Sequence, residues 1–358
     1  MLRVLVYVVL LVGALEKSSR VNGVIEIIES RSGNIRFECN ITNLKAPEKI
    51  AKTRHGLKLA AEILENIIAL KKRVTIKVDY FSRCNEQGCH PAELTASTYV
   101  TNSYVYDENN QVTIYPQALV GPYPEPPLYA SKQPDFVVEL GSDLDFYYPS
   151  DYPTPISYNQ TDLLVAMFHE VTHGFGLFSR TFLTQKAFYK HINTNPPPIL
   201  YHFPSRFDEF VHDPLTNQSI SNAVRSLEPP DTLNRCQMYK DLVKNVLSPG
   251  RLVFLSIKGN NISLYHQDGT SHLAFGYMGT QDELMVPAIA RGHSLASRVL
   301  NTPDWHYAPY GPATLDILAT IGYQLKVPSP NCTLYSYFLY KETSNGEEPP
   351  CFSHLKLN

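Results

Sequence analysis

The chain has 358 residues, with 34 acidic and 31 basic side chains and a formal net charge of −3. That balance argues against nucleic acid as a partner, since phosphate binding needs a basic excess, and no cationic run exceeds Lys71, Lys72 and Arg73. At 43 % hydrophobic and 18 % charged the sequence is not that of a disordered chain, and its length suffices for a sizeable core.

Residues 1–14 read as a secretory signal peptide. Arg3 gives a basic start, Val4–Leu15 carries no charge, and Val12, Gly13 and Ala14 offer small residues for cleavage. The run is shorter than the roughly 20 residues a bilayer requires, and no later segment could span one. The expectation is a secreted, extracellular protein without a transmembrane segment in its mature chain.

Six cysteines fit that compartment: Cys39, Cys84, Cys89, Cys236, Cys332 and Cys351. Cys84 and Cys89 are close enough to staple a loop, and Cys332 and Cys351 to staple a tail. Cys39 and Cys236 are then left to pair across the fold. Asn-x-Ser/Thr triplets at Asn40, Asn159, Asn217, Asn261 and Asn331 are candidate glycosylation sites.

Gly23–Asn40 has strand-like apolar content. Leu57, Ala60, Ala61, Leu64, Ile67 and Ile68 recur at helical spacing, and Val74–Tyr80 alternates as a half-buried strand. Shorter strand-like runs cover Thr98–Tyr106 and Gln111–Tyr115, followed by alternation at Phe136, Val138 and Leu140. Prolines mark loops at Gly121–Pro127 and Pro149–Pro155. Leu163–His173 is a predicted helix, capped by Thr161 or Asp162 and stopped by Gly174 or Gly176. Residues 180–250 read as an insertion with a few short helices. Val253–Ile257 follows as a strand, and Pro312 opens a helix over Ala313–Ile321 that Gly322 ends.

The chemistry lies in Phe168-His169-Glu170-Val171-Thr172-His173-Gly174-Phe175-Gly176. On a helix, positions i and i+4 share a face, so His169 and His173 can present ring nitrogens to one ion. Glu170 beside them can act as general base on a water that zinc makes acidic, and later pass the proton to a leaving amine. A catalytic zinc needs a third protein ligand. The compact metzincin pattern would place it at position 179, which is Ser179 here. A glutamate some 20 residues downstream, as in thermolysin, finds nothing near Ile192, and Glu209 is the nearest acidic candidate.

Further on lie Gly269-Thr270-Ser271-His272-Leu273, Asp282-Glu283-Leu284-Met285-Val286-Pro287, and Gly311-Pro312-Ala313-Thr314 leading to Ile321-Gly322-Tyr323. In this order the islands resemble secreted zinc metalloendopeptidases of the leishmanolysin-like branch of the metzincins, and bacterial relatives, over about Leu57–Tyr323. There an insertion separates H-E-x-x-H-x-x-G from a late third histidine. The resemblance implies His272 as third zinc ligand and Met285 as the Met-turn residue under the metal. Ala274 departs from it, since relatives often carry an acid there. His266, His293 and His306 are rival ligands, and His293 or Tyr277 are possible oxyanion donors. A free Cys39 could ligate the zinc of a zymogen, but the segment before the first helix is short for an inhibitory one.

The expected fold is therefore α+β and zincin-like: a twisted mixed sheet, an active-site helix on its face, and a smaller C-terminal subdomain. The catalytic domain would span 15–326, with the insertion at about 180–250, and 327–358 would be a disulfide-stapled tail. The expected function is a secreted zinc-dependent endopeptidase with one catalytic Zn2+ and Glu170 as base, acting on protein or peptide substrates. The alternatives are an inactive zincin-like binding protein and a zinc hydrolase with a non-peptide substrate.

Overall fold

The computed structural model describes residues 25–41, 44, 46–81, 96–99, 103–108, 111–119, 134–179, 204–225, 252–265, 271–288, 291–344, 347 and 349–355. The expected signal peptide, Cys84, Cys89, Cys236 and His266 lie outside the described residues.

The strand-like stretch at the start divides into β1 (Glu26–Glu29) and β2 (Ile35–Asn40). Gly33, at φ +73°, makes the turn between them, a conformation that costs glycine little. Helix α1 (Pro47–Ile67) follows, with proline in its first turn. Ile68, expected on its face, instead has extended backbone and opens β3 (Ile68–Ala69). Next come β4 (Val74–Phe81), β5 (Ala96–Tyr99), β6 (Ser103–Glu108), β7 (Gln111–Pro116), β8 (Phe136–Gly141), β9 (Phe146–Tyr147) and β10 (Thr161–Asp162). The expected run Thr98–Tyr106 is thus two strands, β5 in the main sheet and β6 paired with β7.

The main sheet has the order β1-β2-β4-β8-β5. Strands β2, β4 and β8 are parallel, and the two edges, β1 and β5, run antiparallel. Alternation gives it one dry face. Phe37, Ile76, Val78, Phe136, Val138 and Leu140 are buried, while Arg36, Glu38, Lys77, Asp79 and Glu139 on the other face are only half-buried. The dry face packs on α1 and on α2 (Leu163–Gly174). The protein is thus α+β with a mixed sheet.

Residues 211–225 form β11 (Val211–Asp213), β12 (Gln218–Ser219) and α3 (Ile220–Arg225). Strand β11 pairs with β13 (Val253–Leu255), which pairs with β14 (Asn261–Ser263). The expected insertion therefore contributes strands as well as a short helix, because Val211 and Phe254 share a buried core face. The chain continues through α4 (Leu295–Leu300), α5 (Pro312–Ile321), β15 (Gln324–Leu325) and α6 (Leu334–Thr343).

A disulfide joins Cys332 to Cys351, as expected. Leu334, Tyr337, Phe338, Phe352 and Leu355 of this tail belong to the same buried core as the sheet. His354 sits between Glu62 of α1 and Arg31, at 2.8 Å from each.

Cys39 corrects an expectation. It is a free thiol with no solvent exposure, on the dry face of β2, and so is not the disulfide partner of Cys236. Burial, followed by the nearby carboxylates of Glu26, Asp79 and Glu38, pushes its pKa far up. A thiol kept protonated in the core makes no zymogen ligand.

No helix among the described residues is long and apolar enough to cross a membrane. Four of the five glycosylation candidates, Asn159, Asn217, Asn261 and Asn331, are exposed; Asn40, at the end of β2, is half-buried.

Candidate metal centre

Helix α2 begins where the carboxylate of Asp162 accepts the backbone N–H of Leu164 at 2.8 Å and of Val165 at 3.4 Å. Its second oxygen takes the Leu295 N–H at 2.8 Å, so the same side chain ties α2 to the start of α4. Burial raises the Asp162 pKa to about 6 despite those three donors. The helix closes at Gly174. A Cβ there would lie 2.3 Å from the Phe136 ring, so this glycine allows α2 to approach β8. Gly176 takes φ +109°. That turn brings the Leu177 carbonyl back to His173, whose Nδ1–H donates to it at 2.8 Å.

The Nδ1–H of His169 donates to the Leu284 carbonyl at 2.6 Å. A carbonyl can only accept, so in both rings the proton is fixed on Nδ1 and the lone pair on Nε2. The two Nε2 atoms stand 3.1 Å apart. His272 completes a triangle, with its Nε2 3.3 Å from each. Among the described residues these three histidines form the one cluster with metal-ligand spacing. Burial first, and then the neighbouring imidazoles, push the pKa of His173 down to about 3 and that of His272 to about 2. Both rings are therefore neutral at pH 7, the state in which imidazole binds metal.

His272 reaches the triangle through a loop held at several points. Its carbonyl accepts the Tyr265 N–H at 2.9 Å, and the next residue, Leu273, donates its N–H to the Met285 carbonyl at 2.8 Å. The turn Gln281–Met285 thus grips both halves of the site, His169 through Leu284 and the His272 strand through Met285. That turn is anchored in its own right. Asp282 accepts the N–H of Ala313 at 3.0 Å and of Thr314 at 2.9 Å, and so caps α5 from outside the helix. A Cβ on Gly311 would lie 2.5 Å from the Asp282 carboxyl carbon, so glycine is required there. The Met285 side chain is fully buried in the core.

Ser179, the position of the compact third ligand, braces the loop instead. The Ser179 N–H donates to Ser271 Oγ at 3.0 Å, beside His272. Its hydroxyl donates to Asp208 Oδ1 at 2.5 Å, and Asp208 also accepts from Ser205 N at 2.8 Å. Glu209 accepts from Thr113 Oγ1 at 2.7 Å and pairs with Arg206, away from the histidines. His293 and His306 are exposed and outside the cluster. Tyr277 is half-buried, and its hydroxyl meets the Ser263 backbone.

Glu170 is 5 % exposed. Its carboxylate accepts from Thr98 Oγ1 at 2.8 Å, and the same hydroxyl lies 2.7 Å from the Glu170 backbone carbonyl. Sequence reading missed Thr98, Ser271, Asp208 and the capping role of Asp282. The one local signal was for Asp282, which precedes an apolar turn as Gly311-Pro312 precedes a helix.

The fold and this cluster define an α+β protein with a three-histidine site in which His169 is buried and His173 and His272 are half-buried. By sequence the chain belongs to the SPBPB7E8-like family, whose pattern matches residues 19–248. That span includes His169, Glu170 and His173 and stops short of His272 and Met285. The chain is also similar to "Uncharacterized protein PB7E8.01" of Schizosaccharomyces pombe (strain 972), at 23 % identity over 297 residues. The match covers 66 % of this chain and 50 % of the relative, so the chain spans about half of that protein's length. No solved structure matches.

Proposed function

We propose that the protein is a secreted zinc-dependent endopeptidase with a zincin-like fold of the metzincin, leishmanolysin-like kind. The observation that carries this reading is the Nε2 triangle with edges of 3.1 and 3.3 Å. A tetrahedral zinc with Zn–N bonds of about 2.0–2.1 Å holds its donors about 3.3–3.4 Å apart, so the triangle fits one face of its coordination shell. Two lone pairs facing each other at 3.1 Å repel unless a cation lies between them. The donor set of three neutral imidazoles suits zinc and leaves the fourth position open.

His169, His173 and His272 would hold the ion. When bound, it supplies Lewis acidity toward a carbonyl and makes water acidic near neutral pH. Glu170, next to the first ligand on the same helix, is the base that takes a proton from the attacking water and returns it to the leaving amine. Carbonyl contacts from Leu284 and Leu177 keep two ligand rings from rotating. Among the described strands β5 pairs with β8 alone. A substrate peptide running extended alongside β5 would lie near Glu170. The Cys332–Cys351 disulfide and the exposed triplets at Asn159, Asn217, Asn261 and Asn331 support secretion and glycosylation.

Metal analysis after exhaustive dialysis tests the assignment. The wild type should keep one zinc per chain and His306→Ala should keep it too. His272→Ala should lose it, a larger effect than the roughly 10–100-fold that outer-shell changes cost. A zinc-free wild type, or loss in His306→Ala alone, would overturn the ligand set.

A further inference from the structure

We infer that Thr98 is a positioning residue for Glu170, an inference that rests on the reading of Glu170 as the base of a metal centre. The Thr98 hydroxyl lies 2.8 Å from Glu170 Oε2 and 2.7 Å from the Glu170 carbonyl oxygen. Both are acceptors, so the one hydroxyl proton is shared between the side chain and the backbone of the same residue. A glutamate on a helix has three rotatable bonds. Tying its carboxylate and its own carbonyl to one hydroxyl selects a conformer folded back along α2 toward β5.

Sheet register delivers this hydroxyl. Thr98 stands opposite Val138 in the β5–β8 ladder, and Val138 is buried on the dry face under α2. Ser97 points to the other face and meets Glu139 there at 3.2 Å. A slip of one residue would carry Thr98 to the wrong side and present Ser97 instead. The edge strand and the base are thereby coupled. Holding a base in its reactive orientation ahead of substrate removes an ordering cost from the reaction.

The test needs no turnover. Acetohydroxamic acid gives up its hydroxyl proton as it binds a metal ion, and a correctly held carboxylate receives that proton. Its affinity would be measured by calorimetry on the full chain loaded with zinc, with zinc content determined in parallel. Thr98→Val, which keeps the shape and loses the hydroxyl, should weaken binding about five- to tenfold with zinc content unchanged. Thr98→Ser should restore most of it, and Glu170→Gln should weaken it at least as much as Thr98→Val. Wild-type affinity in Thr98→Val overturns the proposal. So does an equal loss in Thr98→Ser, which would assign the effect to the methyl group. Wild-type affinity in Glu170→Gln would show that Glu170 does not face the metal, and a wild type that loads no zinc would remove the metal reading; the proposal falls with either.

Discussion

The two halves of the site are built by opposite means. His169 and His173 need only a helix, since a spacing of four residues puts both on one face. His272 is held by contacts from outside its own turn: Tyr265 on its carbonyl, Ser179 on its neighbour Ser271, and Met285 on its neighbour Leu273, with Asp282 anchoring the Met285 turn to α5. The first half is a local motif carried on a rigid rod. The second is a loop whose shape is stored elsewhere. Damage to the helix should therefore act through packing, and damage to the loop through its remote anchors.

Asp282→Ala should give the largest effect. It removes a buried carboxylate with three donors on it, Ala313 N, Thr314 N and Thr314 Oγ1, and leaves the start of α5 uncapped. The expected loss is on the order of 3 kcal/mol by urea unfolding. Zinc affinity should fall about 10–100-fold although Asp282 touches no ligand. If affinity stayed at the wild-type level, the turn would not be what holds His272 and His169 in register.

Gly174→Ala strikes the helical half. Its Cβ would need space 2.3 Å from the Phe136 ring, so α2 must lift from β8. Overpacking of this kind costs about 1–3 kcal/mol, read as a lowered midpoint of unfolding. His169 and His173 would still share a face, so zinc binding should suffer less than in Asp282→Ala. The reverse ranking would break the comparison.

A smaller, graded effect should appear with pH. Burial, and then Lys341, push the pKa of His55 down to about 4 in the fold, where its ring meets the Tyr337 hydroxyl at 2.6 Å. The unfolded chain takes up that proton near pH 6.5. Between these values the unfolded state holds more protons, so stability falls as pH drops from 6.5 toward 4 and is level with respect to His55 above 6.5. In metal-free protein His173 and His272 add to this slope, their pKa values being lowered to about 3 and 2. Bound metal should raise the whole curve and leave its slope above pH 4 unchanged, since both rings are already unprotonated in the fold there. Urea unfolding across pH 4–8, with and without zinc, would reveal a slope of the opposite sign if these rings were charged in the fold.

Legibility in the sequence followed the same division. The helix, its Asp162 cap, the glycine stop and both histidines could be read from spacing, because each depends on residues within one or two turns. The sheet strands could be read from alternation. His272 was reached through a resemblance, since nothing local distinguishes it from His293 or His306, and the structure brings together only the first. Thr98 and Ser271 were invisible. A threonine in an alternating strand carries no sign of what stands across from it until register is known. Cys39 was misread because an even cysteine count says nothing about which face a strand turns inward, and β2 turns this one into the core. Strand β11 was missed because the partner that places it in the core, β13, comes some 40 residues later.

The most direct measurement is cleavage of a mixed peptide library by the purified zinc-loaded protein, read by mass spectrometry beside Glu170→Gln. New internal termini in the wild type, and none in Glu170→Gln, are the predicted result. No internal cleavage by zinc-loaded wild type, or equal cleavage by Glu170→Gln, would contradict a peptidase that uses Glu170 as its base.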